Sequence, residues 1–206
     1  GGKSPIIVFE DADIDSAVNG AAGGIFGASG QSCVAGSRLL LHEAIADQFI
    51  EKMRAIATGV KIGDPMLEQT EMGPLCTFGQ LETIERELAH AKTEGATVIC
   101  GGQRAKAGSD MFFQPTIVAC PSPDLRIVDT ELFGPVVTVL RFKDEADAIR
   151  LANRSEHGLA AGIFTRASAR SLRVAKAVKA GIIWVNTYRA VSPVAQFGGM
   201  KNSGYG

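Results

Sequence analysis

Short apolar segments alternate with amphipathic segments along the whole chain, and this alternation restricts the fold more than any other feature. The predicted strands are 6–9, 38–42, 97–100, 113–118, 136–142, 160–165 and 182–186. The first predicted helix begins near Ile14, with Asp13 as its N-cap, and the others are 44–58, 77–94, 145–153 and 167–178. Alternating strands and helices favour an α/β class: a layered α/β/α domain with a mostly parallel sheet.

The segments between these elements complete the predicted organisation. Pro115 lies inside the 113–118 segment and predicts an edge strand, because proline cannot donate to a strand ladder. The segment 103–110 is expected to be an exposed turn, 121–130 a loop, and 192–206 a structured glycine-rich loop. No internal repeat or linker interrupts the chain, so residues 1–206 are interpreted as one domain.

Charge and cysteine spacing exclude several classes of protein. The 206 residues include 21 basic and 22 acidic residues, so we expect neither a nucleic-acid partner nor a membrane partner. No apolar run approaches the roughly 20 residues of a membrane span. Neither the four cysteines nor the three histidines have metal-ligand spacing, so no metal site is expected. Cys76, Cys100 and Cys120 are expected to be reduced, structural thiols.

One cysteine lies in a run of small residues that contains the strongest candidate for chemistry. Cys33 is flanked by Gly30 and Gly36, between a helical segment and the 38–42 strand. Glycines permit tight backbone turns, and a thiol on such a turn is placed for nucleophilic attack beside backbone N–H groups. The alternative is a buried cysteine that acts as a small hydrophobic residue.

Five motifs, in order from the first residue to the last, resemble those of the aldehyde dehydrogenase superfamily. Gly30–Cys33 resembles its G-Q-x-C nucleophile motif, and Glu131–Val136 resembles its E-x-F-G-P-V motif. The remaining matches are the Gly-Gly-Lys-Ser-Pro start at 1–5, the segment 158–165 and the segment 197–204. The resemblance implies the catalytic domain of an NAD(P)-dependent enzyme that oxidises an aldehyde to a carboxylic acid.

The resemblance also implies roles for individual residues. Cys33 would be the catalytic nucleophile, forming a thiohemiacetal and then a thioester, with its backbone N–H donating to the oxyanion. The cofactor would be NAD or NADP. Glu131 would bind the nicotinamide ribose and Phe133 would pack near the nicotinamide. Gln80 falls where some family members have a ribose contact, and its alternative is an exposed helix residue.

The substrate is expected to be a small-molecule aldehyde. Ser32 and Val34 flank the nucleophile, and Phe197 matches a position that lines the aldehyde tunnel, with a core aromatic as its alternative. Arg189 would attract an acidic aldehyde or be a solvated surface arginine. Gln196 stands where the family usually has proline, which is expected to loosen this loop.

Some parts of the family pattern fall outside the sequence. The general-base glutamate precedes the position of Gly1, and neither the oxyanion asparagine nor a dinucleotide-binding G-x-G-x-x-G fingerprint is present. The expectation is therefore a catalytic domain cut from a longer parent, without its cofactor-binding domain and inactive alone. The parent is expected to be a cytoplasmic homo-oligomer.

Three alternatives stay open at this point. A coenzyme A-acylating semialdehyde dehydrogenase would lack the general-base glutamate. A non-catalytic assembly module would have an inert Cys33. A cysteine hydrolase of another family would need a histidine within hydrogen-bond reach of Cys33.

Overall fold

The computed structural model describes residues 1–206, which form six helices and nine strands. The helices are α1 (Ile14–Phe26), α2 (Ala46–Gly59), α3 (Phe78–Thr93), α4 (Arg126–Asp129), α5 (Glu145–Asn153) and α6 (Ser168–Ala177). The strands are β1 (Pro5–Val8), β2 (Arg38–His42), β3 (Thr97–Cys100), β4 (Thr116–Ala119), β5 (Val136–Phe142), β6 (His157–Gly158), β7 (Ala160–Phe164), β8 (Ile182–Val185) and β9 (Met200–Lys201).

Seven of the strands form one sheet in the order β3-β4-β5-β2-β1-β7-β8. Every neighbouring pair is parallel except β3 and β4, which are antiparallel. The α/β class with a mostly parallel sheet is therefore confirmed. The strands are apolar on both sides, as is usual where helices cover both faces of a parallel sheet.

The two faces of the sheet bury separate apolar clusters, which give the three-layer arrangement. On one face, Ile7 and Leu40 pack with Ile84 of α3 and Leu151 of α5. The other face carries the neighbouring side chains of the same strands, which pack against α1 and α2. Its members include Ile6, Leu39, Val18, Phe49 and Met53. The predicted N-cap of α1 is also confirmed, since the Asp13 carboxylate accepts from the Ser16 N–H at 3.0 Å.

Three details of the predicted organisation are wrong. The strand predicted at 113–118 is β4, which lies inside the sheet, whereas β3 and β8 are the edges. Pro115 precedes β4, so its missing N–H removes no ladder hydrogen bond. The loop predicted at 121–130 contains the single-turn helix α4, and the 192–206 tail contains β9, which pairs with β6.

A buried cation joins the start of β2 to the end of α5. Arg38 is 1% exposed, and its guanidinium donates to the carbonyl oxygens of Lys3, Leu151 and Ala152 at 2.7, 2.9 and 2.9 Å. The last carbonyls of a helix have no partner within the helix and carry partial negative charge. The helix end therefore supplies the acceptors that a buried arginine otherwise takes from a carboxylate. None of the helices is both long and apolar enough to cross a lipid bilayer.

Candidate active site

The candidate nucleophile Cys33, the candidate ribose contact Glu131 and Gly2 lie in segments that lead into three adjacent strands. Gly2 precedes β1, Cys33 precedes β2 and Glu131 precedes β5. Because β5, β2 and β1 are parallel neighbours, their amino ends lie together at one edge of the sheet. We call this edge the amino edge. Cys33 and Glu131, which are far apart in sequence, are brought to the same edge.

Cys33 is exposed on the loop between α1 and β2. No side chain hydrogen-bonds its thiol, and its backbone N–H has no acceptor in the chain. The three histidines make their contacts with Ala44, Glu94 and Glu156 and none reaches Cys33. The structure thus provides a free thiol beside a free N–H donor, without the histidine that a cysteine hydrolase would need.

The turn that precedes Cys33 is left-handed. Ala28, Ser29 and Gly30 have φ values of 53°, 55° and 70°. This conformation costs about 1–2 kcal/mol for each residue that carries a Cβ. At Gly30 a Cβ would also overlap the Gly134 carbonyl. The glycine before the nucleophile therefore permits close approach to the segment that carries Glu131.

Glu131 and Phe133 lie next to the nucleophile loop. They line one narrow cleft together with Gly2, Gly30 and Ser32. Oε1 of Glu131 accepts the Gly2 N–H at 2.9 Å, whereas Oε2 has no hydrogen-bond or ion-pair partner. Phe133 has φ 52° and a side chain that is 41% exposed. The cleft thus offers an unused carboxylate oxygen beside an exposed aromatic ring.

Gln80 lies in the first turn of α3 and is half-buried. The Thr77 hydroxyl caps this turn by accepting the Gln80 N–H at 3.2 Å. One helical turn further on, Ile84 packs against Gly134, since a Cβ at that glycine would meet the Ile84 side chain. The helix that carries Gln80 therefore contacts the Glu131–Gly134 segment, although the Gln80 side chain does not line the cleft.

The predicted substrate contacts occupy different surroundings. Ser32 lines the cleft with Glu131. Val34 is buried and packs with Leu159, Ala160 and Trp184. Phe197 is 47% exposed and lines a second cleft, together with Trp184 and the 190–196 loop. Trp184 therefore contributes both to the Phe197 cleft and to the packing around Val34. The substrate roles of these residues stay predictions.

Arg189 is directed toward the end of a helix. Its guanidinium lies 3.4 and 3.5 Å from the carbonyl oxygens of Gly23 and Gly27 at the end of α1. Cations are favourable at this end of a helix. Its position matches neither the acidic-aldehyde contact nor the solvated surface arginine that the sequence suggested.

Lys3 is a second buried cation beneath the site. It is 1% exposed and its Nζ has no hydrogen-bond partner. Burial, and next the charge of Arg38, lower the pKa of Lys3 to about 7, whereas Cys120, Asp129 and Glu131 act in the opposite direction. Lys3 therefore exchanges a proton near neutral pH directly behind the segment that carries Glu131.

Sequence reasoning quoted Gln31 within the G-Q-x-C motif but assigned it no role. Its Nε2 donates to the Pro74 carbonyl at 3.2 Å, and its Oε1 accepts the Cys76 N–H at 2.8 Å. Ser29 donates its hydroxyl to the Gly73 carbonyl at 2.9 Å. These contacts join segments 40 or more residues apart, so no local pattern in the sequence indicates them.

The layered α/β domain, with an exposed free cysteine and a carboxylate on a neighbouring segment, defines a domain suited to nucleophilic chemistry. Residues 1–206 match the model of the aldehyde dehydrogenase family, and the chain belongs to this family. It is 48% identical, over its full length and 42% of the relative, to (Z)-2-((N-methylformamido)methylene)-5-hydroxybutyrolactone dehydrogenase of Acinetobacter baylyi.

Solved structures of two proteins also match the whole chain. PnpE from Pseudomonas sp. WBC-3 superposes with a TM-score of 0.97 at 44% identity, and its complex with nicotinamide adenine dinucleotide gives the same values. Betaine aldehyde dehydrogenase from Staphylococcus aureus, in complex with NAD+, gives 0.96 at 40% identity. Each comparison covers 100% of this chain, and 43% and 41% of the respective neighbour. The chain therefore spans about two fifths of the length of its relatives.

Proposed function

We propose that the chain supplies the cysteine nucleophile and the nicotinamide-ribose side of the active site in an NAD(P)-dependent aldehyde dehydrogenase. The observation that carries the proposal is that Gly2 lies against the Cys33 carbonyl and donates its N–H to Glu131, at the amino edge of three adjacent strands. Phe133 lines the same cleft as Glu131. The reaction we assign is oxidation of an aldehyde to a carboxylic acid through a thioester on Cys33.

The chemistry at Cys33 requires an accessible thiolate and a donor for the oxyanion. The sulfur adds to the aldehyde carbon, and the carbonyl oxygen takes the negative charge in a thiohemiacetal. The unpaired N–H of Cys33 supports this step, because it is free to donate to that oxygen. After the hydride leaves the carbon, the acyl group is held as a thioester, and water then releases the acid. The base that activates this water is not assigned to a residue of this chain.

The groups beside the nucleophile loop suit the ribose and the nicotinamide ring of a nucleotide cofactor. Oε2 of Glu131 is available for a ribose hydroxyl, while its Oε1 stays bonded to Gly2. Phe133 presents an exposed ring two residues further on. The bound cofactor supplies a hydride acceptor. The NAD+ complexes of the two structural neighbours support this assignment, in which either NAD or NADP is used.

Two further proposals concern the cellular compartment and the oligomeric state of the full-length protein. All four cysteines are free, which supports a reducing compartment such as the cytoplasm.

The outer edge of β8 is unpaired, and large apolar side chains around it are exposed, including Val185, Val191, Val194 and Phe197. This surface supports a homo-oligomer of the full-length protein, because an open strand edge is a place where another chain adds.

Cys33→Ser in the full-length protein tests the proposed function. An alcohol is a far weaker nucleophile than a thiolate, so aldehyde-dependent reduction of NAD+ should be lost while cofactor binding remains. Cys100→Ser, which changes a half-buried thiol in β3, is the control and should retain the absorbance burst of reduced nicotinamide. A normal burst in Cys33→Ser would refute the assignment of Cys33 as the nucleophile.

Product analysis with coenzyme A present distinguishes a free acid from an acyl thioester. It therefore distinguishes the hydrolytic enzyme from the acylating alternative.

A further inference from the structure

The left-handed turn before Cys33 has to be held by contacts from outside it. Ala28 and Ser29 are not glycines, yet both have positive φ. Such conformations persist only where the surrounding structure fixes them. The turn at 27–30 is a single 3-10 turn, and after it the Gln31 N–H donates to the Ala28 carbonyl at 3.0 Å. The position of Cys33, two residues after Gln31, therefore depends on what holds Ser29 and Gln31.

The side chain of Gln31 makes two hydrogen bonds to one neighbouring segment. Its amide nitrogen donates to Pro74 and its amide oxygen accepts from Cys76. A primary amide is the side-chain group that offers a donor and an acceptor on one rigid plane, so it pairs with a backbone N–H and C=O together. We call this pair of bonds the Gln31 clamp. Ser29 adds a third bond to the same segment, at Gly73.

The segment held by the clamp leads directly into α3. Cys76 is followed by Thr77, the N-cap of α3, and the first turn of that helix carries Gln80. The same helix packs against Gly134 through Ile84. The clamp therefore connects the nucleophile loop to the element that bears the candidate ribose contact and supports the Glu131–Gly134 segment.

We infer that Gln31 is a positioning residue that fixes the nucleophile Cys33 relative to the cofactor side of the site. This inference rests on the proposed function. Hydride transfer requires reacting atoms about 3–3.5 Å apart, and a misplacement of about 1 Å can cost a hundredfold in rate. Gln31 acts through the two backbone segments that it joins and does not itself touch the reacting atoms.

Three variants of the full-length protein separate the two hydrogen bonds. Gln31→Met keeps the approximate shape and removes both bonds. Gln31→Glu keeps the acceptor for the Cys76 N–H, but its carboxylate cannot donate to Pro74; the protonated acid restores that donor. Ser29→Ala removes the adjacent bond to Gly73 and leaves the clamp. Gln103→Met is the matched control, because Gln103 is exposed and only its backbone carbonyl, not its side chain, makes a hydrogen bond.

The kinetic readout is kcat and KM for NAD+ as a function of pH. Gln31→Met should lower kcat by about 10- to 100-fold at every pH, with a smaller change in KM. In Gln31→Glu the ratio of its kcat to that of the unmodified protein should rise as pH falls toward the carboxyl pKa. Ser29→Ala should give a smaller loss, and Gln103→Met should change kcat less than twofold.

Residue-resolved labelling with iodoacetamide supplies a readout that is independent of turnover. In Gln31→Met the labelling rate of Cys33 should change at least threefold. Buried Cys120 should stay protected, which would show that the domain is still folded.

If the labelling rate of Cys33 and kcat match the unmodified protein in both Gln31 variants, the clamp has no positioning role. Loss of activity in Cys33→Ser would still support the proposed function in that case. If Cys120 becomes labelled to the same extent, Gln31 is structural and the inference is wrong. Absence of Cys33-dependent turnover in the unmodified protein would instead reject the proposed function.

Discussion

Gly2 donates its backbone N–H to Oε1 of Glu131 at 2.9 Å, and Oε2 of the same carboxylate is left without a partner. This bond joins the segment that leads into β1 to the segment that leads into β5. Since one oxygen is fixed by the protein, the direction of the other is fixed as well. Glu131 is thus oriented before any ligand binds.

Replacement of Glu131 by glutamine in the full-length protein should therefore remove the acceptor for the ribose and keep the bond to Gly2. The amide oxygen can still accept from Gly2, while the free acceptor becomes an NH2 group that cannot accept a ribose hydroxyl. We expect kcat to fall at least about tenfold, with a smaller change in KM for NAD+, because the nicotinamide would sample unproductive orientations. The isotope effect with a deuterated aldehyde should grow as hydride transfer becomes limiting.

The control for this measurement is Glu82→Gln, which changes an exposed carboxylate on α3 that has no partner. If Glu131→Gln leaves both kcat and the isotope effect unchanged while Cys33 remains essential, Glu131 is only a structural acid.

Lys3 should make the free energy of unfolding depend on pH near neutrality. Its folded pKa is lowered to about 7, whereas an unfolded lysine titrates near 10.4. Between these values the unfolded chain binds a proton that the folded chain does not, so stability rises with pH across this window. Below pH 7 both states are protonated and the cost of burying the charge is fully present; one pKa unit corresponds to about 1.4 kcal/mol.

Lys3→Met should remove this dependence. Urea unfolding at pH 6 and at pH 8.5 should show the variant to be more stable than the unmodified protein at pH 6, and the difference should narrow by roughly 1–2 kcal/mol at pH 8.5. Burial raises the pKa of Cys120 to about 11, but this thiol is present in both proteins, so its titration cancels in the difference between them. A difference between the two proteins that is the same at both pH values would show that Lys3 is not deprotonated in this range.

Arg38 should not be replaceable by lysine. Its planar fork donates to three carbonyl oxygens, one in the segment before β1 and two in α5, and a single ammonium cannot reach the same three acceptors. Hydrogen bonds to charged groups contribute about 1.5–3 kcal/mol each, so we expect Arg38→Lys to lower the unfolding free energy by at least about 2 kcal/mol. Arg54→Lys, at an exposed pair with Glu51, is the control and should change it by less than about 1 kcal/mol. Equal urea midpoints for the two variants would contradict this account of Arg38.

The alternation of apolar and amphipathic segments was sufficient to predict the layered sheet, because burial on both faces leaves a strong pattern in strands such as β5. The position of a strand within the sheet leaves no such pattern. Pro115 was read as an edge feature, yet it precedes β4, where a missing N–H costs nothing. Strands of two residues, such as β9, are too short for periodicity to show.

Only those site residues that lie in short motifs could be predicted from the sequence. Cys33 and Glu131 belong to short motifs, and the topology brings both to the amino edge. The turn at Ala28 and Ser29 gave no indication in sequence, because residues that usually avoid positive φ occupy it. The role of Gln31 depends on Pro74 and Cys76, which become neighbours only after the chain has folded.

The amino edge also determines where the chain tolerates a change in length. Cys33 stands five residues before the first residue of β2, and Glu131 stands five residues before the first residue of β5. One residue inserted in either of these segments would lengthen it by up to about 3.3 Å, the rise of one strand residue, and would displace Cys33 or Glu131 relative to its strand. The exposed 103–110 turn carries no proposed site residue. We therefore expect it to tolerate insertions, fusions and affinity tags better than the segments before β2 and β5.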